Sequence, residues 1–205
     1  MRIRISPMAG IFAGGALLMG ILTASGDKDG LRELLRGMGE AVTVASAAFL
    51  HELGHILAAW GWGVPLRGMR LDLFGARMEL GGQISYRTEL AVAAGGPLVS
   101  LLAAALAFPL GSVWGGASLF AAVSLGLGLL NLLPVRGMDG GRMLSCVLSL
   151  LLDERAADLT LRLTTGLALG GLWLLSVYCL LRLGETLTLF TFALCLLIRL
   201  LTDEK

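Results

Sequence analysis

The chain has 205 residues, the length of one domain, but 56% of them are hydrophobic, only 15% are charged, and its mean hydropathy is +0.82. That excludes an ordinary water-soluble domain, in which about a quarter of residues are charged. A formal net charge of +1 gives no case for nucleic acid, and three cysteines at unrelated spacings, Cys146, Cys179 and Cys195, indicate neither a disulfide framework nor a thiolate metal cage.

Crossing a bilayer takes about 20 mostly apolar residues. Six segments are candidates: Ile5 to Ala24, Ala41 to Gly61, Leu90 to Leu110, Ala117 to Leu133, Leu161 to Leu181 and Thr186 to Leu201. In the first, Arg2 and Arg4 precede an apolar run as in a signal peptide. The run is long for that role and no small-residue cleavage site follows, so a retained span is expected. Gly26 to Glu40 reads as a short connection, with Leu31, Leu34, Leu35 and Met38 spaced for an interfacial helical turn or two.

The second span carries both histidines of the chain, in His51-Glu52-Leu53-Gly54-His55. Residues i and i+4 share a helix face, so both imidazoles can reach one metal ion. Glu52 adjoins the first of them, where it can take a proton from a water activated by that ion. Zinc suits this donor set best.

After this helix, residues 67–87 alternate loosely between apolar and charged side chains around Gly75 and Gly81-Gly82, the pattern of a β-hairpin; a solvated loop is the other reading. An extended substrate can add to an exposed strand edge. Gly95-Gly96-Pro97 interrupts the third span, either for close packing against the histidine helix or as an ordinary kink.

A catalytic zinc site needs three protein ligands and an open position, and no third histidine exists. The candidate is Asp139, within Asn131 to Arg142, where Pro134 and three glycines break the helix and an ionisable group is costly in lipid. An aspartate capping a helix from Gly140 to Leu152 explains the same residue, and the two roles are compatible.

Six spans put both termini on one side. If that side is cytoplasmic, Arg2, Arg4, Arg67, Arg70, Arg77, Arg87, Arg136, Arg142, Arg155, Arg162, Arg199 and Lys205 lie inside, and Lys28, Arg32, Arg36 and Arg182 outside, a clear positive-inside bias. The expected fold is thus an all-α polytopic membrane protein, one domain over residues 1–205, with about six transmembrane helices and a small membrane-associated β-hairpin or sheet after the second.

Taken together, His51 to His55 and Asn131 to Gly141 resemble the site-2 protease family of intramembrane zinc metalloproteases. There, an HExxH on the second core helix and an aspartate in a later Asn/Pro-rich Asp-Gly motif form the site. Gly95-Gly96-Pro97 is similar to the family's glycine-proline feature, and the resemblance runs from about residue 38 to 200. Within the family, the compact six-span layout without a PDZ insertion looks most like the stage IV sporulation FB proteases, which cut the pro-sequence of a sporulation sigma factor. The chain departs from them in showing no CBS domain before Lys205 and in having Gly137 where a proline often precedes the Asp motif.

The resemblance implies one Zn2+ held by His51, His55 and Asp139, with Glu52 as general base. It implies that Asn131 donates to the substrate backbone or the developing oxyanion; helix–helix hydrogen bonding is the other reading of Asn131. It further implies a membrane-associated protein substrate, a membrane inhibitor or regulatory partner, and a bacterial cytoplasmic or forespore-surrounding membrane. Two rivals use the same residues. A membrane metal-ion transporter needs further polar residues on other spans, which are few. A proteolytically inactive client-binding protein has no need of the intact Glu52.

Overall fold

The computed structural model describes residues 2–5, 28–72, 75–82 and 84–183. They fall into two compact units, Met1–Leu130 and Asn131–Lys205. The expected spans 5–24 and 186–201 lie outside the described residues, apart from Ile5.

In the first unit, β1 (Arg2–Ile5), β2 (Leu66–Asp72) and β3 (Gly75–Leu80) form one sheet in the order β1-β2-β3. β2 and β3 are antiparallel, with Met69 opposite Met78 and Arg70 opposite Arg77. β1 joins β2 in parallel, Arg2 opposite Gly68 and Ile5 opposite Leu71. Arg2-Ile3-Arg4-Ile5 has the period-2 alternation of a strand, a signal obscured by the apolar run that follows it.

Helix α1 (Lys28–Gly61) is continuous, so residues 28–40 of the expected connection belong to the same helix as the histidines, while Gly26 and Asp27 lie outside the described residues. Leu, Arg, Glu and Met dominate its first turns, all good helix formers, and propensity carries the helix through the charges. Its 34 residues reach about 51 Å at 1.5 Å per residue, against about 30 Å of hydrocarbon. The helix stops at a Schellman turn. Gly63, at φ +65°, donates its N–H to the Trp60 carbonyl (3.0 Å), and Val64 donates to that of Ala59 (2.8 Å). Val64 and Ala59 then pack together with Val92 and Ile84.

Helix α2 (Tyr86–Ala107) begins at Ser85, whose hydroxyl accepts from the Thr88 N–H, and leads into a 3-10 turn, Phe108–Ser112. Pro97 lies inside α2 without ending it, so Gly95-Gly96-Pro97 does not interrupt the span. Helix α3 (Gly115–Asn131) buries Ala117, Ala121, Ser124 and Gly128, one stripe of small residues. A Cβ at Gly128 would stand 3.0 Å from the Leu101 side chain of α2, so close packing depends on that smallness.

Burial in these helices is inverted relative to a soluble protein. α1 buries Ala47, His51, Gly54, His55 and Ala59 and exposes Val42, Phe49, Leu57 and Trp60. α2 buries Gly95, Gly96, Pro97 and Ser100 and exposes Leu98, Leu102 and Leu106. Small and polar faces turned inward with large apolar ones turned outward suit hydrocarbon as the solvent.

The second unit contains α4 (Asp139–Leu151) and α5 (Glu154–Leu183). Leu148 packs on Ala157 and Leu161, and Val135 and Met138, ahead of α4, pack on Leu169 and Leu172 of α5. Among the described residues, Leu31–Gly61, Tyr86–Ser112 and Glu154–Arg182 are long and apolar enough to cross a membrane, and Gly115–Asn131 is a shorter apolar helix.

Candidate metal centre

One turn of α1 carries His51 and His55, and both are buried, 5% and 4% exposed. Their rings meet edge to face, with centroids 5.0 Å apart. Helix α2 supplies the floor. A Cβ at Gly96 would overlap His55 Nε2 and lie 2.8 Å from His51 Nε2, so both Nε2 atoms converge on a position of α2 that has no side chain. The helices approach this closely because Gly54 and Gly95 also face each other, each where a Cβ would strike the other's carbonyl.

The opposite ring nitrogens are bonded to α2. His55 Nδ1 lies 2.8 Å from the Val92 carbonyl oxygen. A carbonyl only accepts, so Nδ1 carries the hydrogen and donates it. The Gly96 nitrogen, 3.3 Å from the same Nδ1, is then a close approach and not a second bond, since a ring nitrogen that carries its hydrogen has no lone pair left to accept with. His51 Nδ1 is hydrogen-bonded to Ser100 Oγ at 2.9 Å, and Ser100 is fully buried. Two imidazoles tied at Nδ1 offer Nε2 to a cation, the arrangement of metal-ligating histidines. The donors thus fit a borderline-soft divalent ion such as Zn2+. Glu52, on the same turn, is half-buried.

In the second unit, the chain from Leu132 to Met138 leads into α4. Gly137 has φ +87°, which favours glycine, and Met138 is extended at the helix N-cap without a side-chain cap bond. Asp139 is therefore not the N-cap; it occupies the first helical turn, where the macrodipole favours a negative charge. It is buried, with Arg142 Nη1 4.0 Å from its carboxylate.

Gly140 and Gly141 are helical, and their role is packing. A Cβ at Gly140 would lie 2.5 Å from the Leu133 oxygen, and one at Gly141 2.6 Å from the Val135 carbonyl carbon, so the preceding chain lies directly on the first turn of α4. Thr165 of α5, fully buried, fastens that chain: its hydroxyl accepts from the Arg136 N–H (3.2 Å) and donates to the Pro134 carbonyl (3.4 Å). The Arg136 guanidinium also pairs with Asp158, which binds Arg162 Nε at 2.8 Å. Asn131 ends α3 and is half-buried.

The sequence pointed to the histidines and, as one of two readings, to packing of Gly95-Gly96-Pro97 against their helix, but not to Ser100. The available signal was its spacing from Gly96, i and i+4 on one face of an apolar helix.

No protein-family model matches the chain. A Mycobacterium tuberculosis protein named as a zinc metalloprotease, Rip3, is 36% identical over 125 residues, 56% of this chain and 32% of its own length. A Synechocystis sp. protein, also named as a zinc metalloprotease, is 30% identical over 148 residues, 64% of this chain and 39% of its own length. The chain thus spans about a third of the length of the curated relatives it matches. The solved structure of a site-2 protease from Methanocaldococcus jannaschii superposes with a TM-score of 0.60 at 22% identity, covering 95% of this chain and 86% of that one. At that identity, the likeness establishes a shared fold.

Proposed function

We propose that the chain is a site-2-type intramembrane zinc metalloprotease, hydrolysing a peptide bond in or near the membrane segment of a protein substrate. The observation that carries this reading is the convergence of His51 Nε2 and His55 Nε2 on Gly96, on a helix long and apolar enough to cross a membrane. The relatives named as zinc metalloproteases support it. The narrower likeness to stage IV sporulation FB proteases rests on sequence layout alone, and neither relative is named as one.

In this reading His51 and His55 hold one Zn2+ and Asp139 is the third ligand. A zinc ion held there would supply Lewis-acid chemistry, polarising the scissile carbonyl and making water a better nucleophile. Glu52 takes the proton of the attacking water and delivers it to the leaving amine. The amide of Asn131 donates to the substrate backbone or to the developing oxyanion. The sheet contributes backbone: among the described residues its order leaves β3 at an edge, where an extended substrate segment gains the hydrogen bonds its helix gives up.

Glu52→Gln tests this reading. The purified variant is expected to retain zinc and to cleave a fluorogenic transmembrane-segment peptide in detergent about 100-fold or more slowly, the range for loss of a general base. Cleavage at the unchanged rate overturns the proposal.

A further inference from the structure

The two histidines are held by different kinds of acceptor. His55 Nδ1 donates to the Val92 carbonyl, a backbone group that no substitution removes and whose only possible role is to accept. The fold itself therefore fixes the His55 tautomer. His51 Nδ1 meets a side chain, Ser100 Oγ, at 2.9 Å. A hydroxyl either donates or accepts, so this partner becomes selective only through its surroundings.

Those surroundings are on α2. Ser100 is 1% exposed and sits one turn after Gly96, the residue against which both Nε2 atoms lie. A hydroxyl donating to His51 Nδ1 would put the ring hydrogen on Nε2, the atom that lies with His55 Nε2 against the same glycine, and leave it no lone pair for a cation. A hydroxyl accepting from Nδ1–H leaves the Nε2 lone pair on that side, matching His55. The second arrangement is the one that two imidazoles sharing a cation require.

We infer that Ser100 is a positioning residue for the proposed metal site: its hydroxyl accepts from His51 Nδ1–H, fixes the tautomer and rotation of the ring, and presents Nε2 to the metal. This rests on the zinc reading of the site. Ser100 itself touches neither metal nor substrate; it acts through His51. Outer-sphere partners of ligating histidines are typically worth 10- to 100-fold in metal affinity.

The test uses the unusual economy of the sequence, which has only two histidines. The full chain, labelled with 15N-histidine and kept in detergent without metal at alkaline pH, gives two imidazole spin systems. Wild type is expected to show both rings as Nδ1–H tautomers. In Ser100→Ala one ring moves to a tautomer mixture while the other keeps its signature, and zinc affinity, read by competition with a chelator, falls about tenfold or more. Ser100→Thr keeps a hydroxyl and is expected to restore the tautomer and most of the affinity, which separates positioning from packing. Should Ser100→Ala leave both ring signatures and zinc affinity at wild-type values, or should wild-type His51 be the Nε2–H tautomer, the inference is overturned. A wild-type chain that binds no zinc defeats the zinc reading instead, and the two ring signatures report that case separately.

Discussion

Gly54 and Gly95 pack backbone to backbone where α1 crosses α2: a Cβ on Gly54 would lie 2.9 Å from the Gly95 carbonyl carbon, and one on Gly95 2.5 Å from the Gly54 carbonyl oxygen. In an HExxH motif the fourth position is nominally free, and Gly54 occupies it. Here it sets how near the histidines come to α2. Gly54→Ala keeps every donor in the motif, yet is expected to cost about 1–3 kcal/mol by forcing the helices apart. It should also weaken zinc binding, because the Ser100 and Val92 acceptors are on the helix that moves. Thermal unfolding in detergent and chelator competition read the two effects; a Gly54→Ala variant with wild-type values for both contradicts the packing argument.

Two further glycines, Gly63 just past α1 and Gly37 within it, behave differently, and the difference is predictable. Gly63 terminates the helix at φ +65°, a region that costs a residue with a Cβ about 1–2 kcal/mol. Gly37 lies within the helix, and among the described residues nothing beyond its own helix backbone comes within 4 Å of a would-be Cβ. Gly63→Ala should therefore lower the unfolding temperature. Gly37→Ala should raise it, by removing about 0.5–1 kcal/mol of helix penalty. Changes of the same sign in both variants would contradict this assignment.

These contrasts show which parts of the structure the sequence made legible. The histidine pair was readable because an i, i+4 spacing has one geometric meaning on a helix, and the long apolar runs because length and hydropathy suffice. Local rules failed where tertiary packing overrode them. Pro97 suggested a break, but α2 continues through it. The glycines around Asp139 suggested an unravelled segment; only Gly137 has the left-handed backbone, while Gly140 and Gly141 are helical and make room for main chain lying across them. Asp139 likewise suggested an N-cap, yet the extended residue is Met138. Ser100 went unread because a serine one turn after a glycine in an apolar helix is a weak signal until its partner, 49 residues away, is known.

Thr165 provides a test of the second unit. Its buried hydroxyl is bonded to the Arg136 N–H and the Pro134 carbonyl, fastening the chain that leads into Asp139. Thr165→Val preserves shape and leaves a partly buried N–H without that acceptor, a loss of about 1–3 kcal/mol. Thr165→Ser should recover most of it. Hydrogen exchange at the Arg136 amide should accelerate in the valine variant while the amides in the middle of α5 remain protected. Unchanged exchange at Arg136 would show that the threonine does not hold this segment.

Metal removal distinguishes a preorganised site from one that the ion assembles. Small zinc domains unfold without metal because their ligands have no other partners. Here the chain itself orients both rings, through Val92 and Ser100, within a helix pair closed by Gly54 and Gly95. Stripping zinc with a chelator is therefore expected to abolish cleavage while leaving helical content unchanged. Adding zinc back should restore activity without a slow refolding phase. Stability should rise only by the mass-action amount, about 2.7 kcal/mol at a free zinc concentration of 100 times Kd. Circular dichroism during a zinc titration, run beside the cleavage assay, measures both quantities. A loss of helix signal that tracks the loss of activity would mean that the metal builds the site, and that the bonds from α2 do not suffice to hold the histidines in place.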